Sequence, residues 1–160
     1  MNQKEMKRFH ANRQTVHCAY VYLACFILDL QKALNQHYSN QDELNEKMMS
    51  VLAQYFGNEE KDGQLQQDLN KAHGDILQHL KRDFPYFTRQ QILVFSYYAV
   101  GLPVPLMNLL AGISSDKSVS VMKTQMKKQI KVKASPRREE YLILLEREKL
   151  PNWVRSALFG

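Results

Sequence analysis

Cysteine is nearly missing from this chain: Cys18 and Cys25 are the only two in 160 residues. Seven positions apart on one helix, they would be separated by about 10 Å of rise, too far to bridge each other. With no second pair, a zinc ribbon and a disulfide scaffold are both excluded, and a reducing, cytoplasmic compartment is expected. Glycine is scarce as well, six residues in all, and long stretches carry no turn signal, which argues against an all-β fold. Long apolar runs are lacking too. Residues 18–28 are uncharged and bounded by His17 and Asp29, whereas a membrane span needs about 20 apolar residues. That run reads as a buried helix, and the polar N-terminus carries no secretory signal.

Catalytic signatures are missing in the same way. There is no glycine-rich phosphate loop, no Gly-x-Ser-x-Gly elbow and no His-Glu-x-x-His. The histidines His10, His17, His37, His73 and His79 have no cysteine or acidic partner at metal-ligand spacing. The expectation is a protein that is not an enzyme and holds neither metal nor cofactor.

What is present is charge of one sign in one place. Eight basic residues and no acidic ones lie in the window 117–138: Lys117, Lys123, Lys127, Lys128, Lys131, Lys133, Arg137 and Arg138. The chain carries +6 in total, so removing these eight leaves −2 for everything else. The whole basic excess therefore sits in 22 residues, an electrostatic footprint suited to a polyanion, of which nucleic acid is the commonest.

The chain reads as all-α: long N-terminal helices followed by a C-terminal helix-turn-helix bundle. Residues 4–37 lack Gly and Pro and carry apolar residues at three- and four-residue steps, among them Val16, Tyr20, Leu23, Ile27, Leu30 and Leu34. Their middle is apolar nearly all round, which predicts cover on several sides, with a second copy of the chain as the expected partner. Ser39 and Asp42 pair a capping oxygen with a first-turn acid and predict a second helix, with Leu44, Met48, Val51, Leu52, Tyr55 and Phe56 on its inner face and Gly57 at its end. After a polar loop over 58–63, a third helix is expected over 64–82, stopped by Pro85. Thr88 and Gln91 form a capping box with Phe87 and Ile92 as its staple, opening a helix that ends at Gly101. A short helix through Leu106, Leu109 and Leu110 ends at Gly112. Another spans 116–130, with Val119, Met122, Met126 and Ile130 inward, and Ser135-Pro136 is expected to cap the last full helix. The organisation is a helical region over 1–83, of dimerisation or signalling character, a helix-turn-helix domain over 84–148, and a short apolar tail over 149–160.

A short helix, a tight turn and a basic amphipathic helix are the parts of a helix-turn-helix, whose second helix enters the major groove. The outer face of the 116–130 helix would offer Lys117, Ser118, Ser120, Lys123, Thr124, Lys127 and Lys128, with Lys131 just beyond. Lysine neutralises phosphate, while serine and threonine reach phosphate or base edges. The aromatic cluster Phe84, Tyr86, Phe87, Phe95, Tyr97 and Tyr98 is a core by its helical spacing, with a base-stacking platform as the other reading. A trihelical unit of this shape also serves other proteins purely as a protein-interaction or signalling module, and that reading stands beside the first.

Phe87-Thr88, Ala99-x-Gly101-Leu102, Leu109-Leu110-x-x-Ile113-Ser114, Ser118-Val119 and Lys128-x-Ile130 together resemble the LuxR/GerE-type helix-turn-helix. Asp83-Phe84-Pro85-Tyr86-Phe87-Thr88 and Lys123-Thr124-Gln125 are more closely similar to the C-terminal DNA-binding region of tetratricopeptide-repeat transcriptional regulators, although Gln125 stands where that family has arginine. The resemblance covers roughly residues 75–145. It implies a DNA-binding transcription regulator acting on double-stranded DNA as a homodimer. It also implies two origins for the chain: the cytoplasmic end of a longer sensor, or a regulator that begins at Met1.

Overall fold

The computed structural model describes residues 2–8, 27, 28, 32, 40–113 and 116–146. Every regular element among them is helical, and no strand occurs. The expected N-terminal helix over 4–37 and the tail over 149–160 lie largely outside the described residues. Residues 3–8 are helical, and Ile27, itself in helical conformation, is buried in the core.

Helix α1 spans Gln41–Phe56. Its cap is Asn40, whose side-chain oxygen accepts from the Glu43 backbone N–H at 3.3 Å; Ser39, expected to help start this helix, lies outside the described residues. Leu44, Met48, Leu52 and Phe56, each four residues on from the last, form its buried stripe. Gly57 ends it with φ 76° and ψ 173°, a backbone region that is essentially glycine's alone.

The single helix expected over 64–82 is two. Helix α2 covers Gln64–Ala72 and α3 covers Ile76–Asp83. Between them Gly74 and Asp75 both take left-handed backbone, at φ 60° and 58°. The break is stable because its polar groups find partners. The Asn70 side chain accepts from Leu77 N–H at 2.8 Å, and Arg137, from far along the chain, donates to the carbonyls of His73 and Gly74 at 3.3 and 2.9 Å.

Helix α4, Arg89–Ala99, opens on the Thr88–Gln91 capping box, with both reciprocal bonds formed. Every residue from Ile92 to Val100 is buried, so α4 is the central helix around which the others pack. The turn at Gly101 leads to α5, Val104–Ala111, closed by Gly112 in left-handed conformation. The Gln90 side chain caps its last carbonyl, donating to Ala111 O at 3.1 Å. Helix α6 covers Asp116–Val132, slightly longer than the 116–130 expected, and α7 covers Arg138–Leu145. Ser135 does not act as the expected cap of α7. Its hydroxyl accepts from Arg137 N–H and donates to Asp83, forming a turn that delays the helix start to Arg138.

One hydrophobic core runs through helices α1 to α7, from Leu44 and Phe56 to Tyr141 and Leu145. It crosses the 83/84 boundary without a seam. Gln66 of α2 is fully buried; it accepts from Gly63 N–H at 2.7 Å and donates to Phe56 O and to Ser96 Oγ of α4 at 2.8 and 3.0 Å. Tyr97 of α4 donates its hydroxyl to the same Phe56 carbonyl at 2.9 Å. The aromatic cluster belongs to this core: Phe84 stacks on Phe87 at 4.9 Å, and Tyr141 meets Phe84 and Phe95 edge-on. Only Tyr86 of the six stands exposed, at 57%.

Candidate nucleic-acid interface

Helix α6 is held by α4, α5 and α7. Val119, Met126 and Ile130 are fully buried and Met122 is half-buried, so the inner face lies where its spacing puts it. The opposite face is open. Ser118, Ser120, Val121, Thr124, Gln125, Lys128 and Lys131 are all exposed. On a 3.6-residue period Val121, Thr124, Gln125 and Lys128 fall at i, i+3, i+4 and i+7 and make one contiguous patch. The Thr124 hydroxyl donates to Ser120 O at 3.0 Å, the back-bond that threonine makes within a helix.

The basic residues of the window divide into two sets. Lys127 lies on the flank of α6 and pairs with Glu146, beyond α7, at 2.8 Å. Lys123 lies on the same flank, its ammonium 4.8 Å from the centre of the Tyr98 ring. Lys133 donates to the Asp83 carbonyl and sits 5.2 Å over the Phe84 ring. Arg137 holds the α2–α3 break and lies 3.7 Å from Glu140. Arg138 reaches Lys131 O at 3.4 Å. These cations join elements of the fold. Lys128 and Lys131 make the second set: exposed, on the open face, and in no ion pair among the described residues. The Lys117 side chain lies outside the described residues.

The C-terminal end of α3 carries a polar clamp on this unit. Asp83 accepts hydrogen bonds from Ser135 Oγ at 2.6 Å and Tyr141 OH at 2.8 Å. Burial works against its charge, but those two hydrogen bonds, with the Lys133 ammonium and His79 nearby, outweigh it and hold the carboxyl below its ordinary 3.8. For Tyr141, burial and the Asp83 carboxylate push the phenol up, so it stays a donor. The clamp fixes the α6–α7 turn against α3.

Of the residues expected at the interface, Ser118, Ser120, Thr124, Lys128 and Lys131 share the open face, while Lys123 and Lys127 are turned to its edge. Val121 and Gln125 belong to the open face and were not among the residues expected there; their signal was the helical register they share with Thr124 and Lys128. An open groove of about 460 Å³ lies elsewhere, between α1 and α5, with the exposed side chains of Met49 and Leu109 among its lining. Among the described residues no helix is long and apolar enough to cross a membrane, and no three His, Cys, Asp or Glu side chains group as metal ligands. No known protein family, curated protein or solved structure matches this chain at a significant level.

Proposed function

We propose that this chain is a DNA-binding transcription regulator that lays α6 in the major groove of double-stranded DNA, two copies acting on paired half-sites. The observation that carries the reading is the open face of α6. A helix anchored by Val119, Met126 and Ile130 presents hydroxyls, an amide and two lysines outward, in a chain whose net basic excess lies in the 117–138 window that begins with this helix. Helix α5, the Gly112 turn and α6 follow one another as the parts of a helix-turn-helix do. The resemblance of residues 75–145 to LuxR-type regulators supports the same assignment.

Lys128 and Lys131 then meet the phosphates. Four such lysines in a dimer release about four counterions' worth of charge, for a log–log salt slope near −4. A steeper slope would require the flanking cations as well, and those make contacts within the fold. The test is a titration on mixed genomic duplexes at two salt concentrations. Lys128→Glu with Lys131→Glu abolishes binding while the circular dichroism of the protein stays unchanged, because both side chains are exposed. If the double variant binds as tightly as the wild type, α6 does not lie in the groove, and the protein-interaction reading replaces this one.

A further inference from the structure

The open face of α6 also carries information about which bases it reads, given the duplex-binding reading above on which this step rests. A recognition helix contacts base edges with its N-terminal half and leaves the backbone to residues further on. Of the exposed patch, Val121 and Thr124 fall in that half and Gln125 lies one residue past the midpoint, and no arginine occurs anywhere in α6. Guanine is read most often by arginine or lysine donating to O6 and N7. Of the cations whose side chains are described, Lys123 lies against Tyr98 and Lys127 pairs with Glu146, both on the flank; Lys117, in the first turn, is tested by its own variant. Lys128 lies nearly a turn beyond Gln125, at the phosphate-reading end of the patch.

The groups that remain have a narrower chemistry. Thr124 has a single hydroxyl hydrogen, and it is given to Ser120 O. With that bond kept, the side chain faces the groove with a methyl and an acceptor lone pair, and donating to guanine O6 or N7 requires giving the bond up. Val121, 44% exposed in the middle of a polar face, offers two methyls and nothing else. The one apolar group in the major groove is the C5-methyl of thymine. Gln125 carries an amide that matches adenine on both edges, accepting from N6–H and donating to N7. The hydroxyl of Ser120 suits either kind of base pair and does not decide between them.

We infer that α6 is a reader of adenine–thymine pairs, with Gln125 on adenine and the Val121 and Thr124 methyls against thymine. The test selects binding sites from short duplexes with a randomised centre, then titrates the selected duplex in two altered forms. Deoxyuridine in place of thymine removes only the methyl, and 7-deazaadenine in place of adenine removes only the N7 acceptor. The wild type loses at least about fivefold in affinity on each altered duplex. Val121→Ser with Thr124→Ser, which removes the methyls at both positions, no longer distinguishes thymine from uracil, and Gln125→Ala no longer distinguishes adenine from its deaza form; all three are exposed helix positions whose replacement preserves the fold. Selected sites centred on guanine–cytosine pairs, with Lys117→Ala or Lys128→Ala relaxing that choice, would overturn the inference and leave DNA binding standing. Equal affinity for thymine and uracil duplexes, or binding with no sequence selected, overturns it in the same way. Failure to bind any duplex removes the DNA-binding proposal itself, and this inference with it.

Discussion

Gln66 is the residue on which the interior most depends. A buried amide is tolerated when each of its polar atoms is paired, and Gln66 bonds Gly63 N–H, Phe56 O and Ser96 Oγ at once. Gln66→Leu leaves the Gly63 N–H orphaned in the core and is expected to cost about 3 kcal/mol. Tyr97→Phe removes a second donor from Phe56 O while Gln66 still serves that carbonyl, so its cost is about 1 kcal/mol. Urea midpoints of the two variants should rank in that order; equal losses would mean that the two donors are equivalent. Asp83 supplies a pH dependence. Its folded carboxyl titrates below 3.8, so its stabilisation is complete above the unfolded value and is lost as pH falls through the lower, folded one. Asp83→Asn therefore lowers stability at neutral pH and flattens the fall in stability below about pH 4. A variant whose acid-unfolding curve runs parallel to that of the wild type would show that the Ser135 and Tyr141 bonds do not favour the charged form.

Among the elements, the joints decide more than the helices. The α1–α2 joint brings two glycines together so closely that a Cβ on Gly57 would lie 2.7 Å from Gln66 Oε1 and 2.9 Å from Gly63 N. The Gln66 oxygen cannot swing aside without releasing its hydrogen bond, and the Gly63 nitrogen is backbone. Added to the strained dihedrals at Gly57, this makes Gly57→Ala costly, about 3 kcal/mol or more. Gly112, in the α5–α6 turn, has φ 67° but nothing within 4 Å of an added Cβ, so Gly112→Ala pays conformational strain alone, about 1–2 kcal/mol. Thermal melting separates the two cases. If Gly112→Ala is the more damaging, the turn into α6 is tighter than the structure has it.

At the scale of the whole molecule, the helices before Asp83 and those after it share one core and one polar network. Phe56, Leu65 and Leu69 pack in the same cluster as Tyr97 and Tyr141, and Arg137 closes a break between α2 and α3 more than sixty residues away. A fragment of residues 84–148 loses Gln66, Asp83 and the apolar cover of α4 together. It is expected to lack a cooperative unfolding transition, whereas the whole chain melts in one step. A fragment that unfolds cooperatively with native helical content would show that the later helices form an independent domain. The same continuity bears on the proposed function, because α6 packs on α4, and α4 is held in turn by α2 and α3.

Several interactions spanning four residues or fewer were legible without coordinates, although the Asn40 cap and the Ser135 turn were not. The Thr88–Gln91 box, the stops at Gly101 and Gly112, and the inward stripe Val119, Met126 and Ile130 depend on neighbours along the chain, and the all-α class follows from them. The break at Gly74–Asp75 was not legible, because periodicity continues through it and its carbonyls are satisfied by Arg137 from the far end of the sequence. Nor was the division of the basic cluster. Eight like charges in a row are equivalent by composition, and only folding brings Glu146 to Lys127, the Tyr98 ring to Lys123 and the Asp83 carbonyl to Lys133. Helical spacing is a property of the local chain, whereas the partner that leaves one lysine open and occupies the next arrives from a distant part of it.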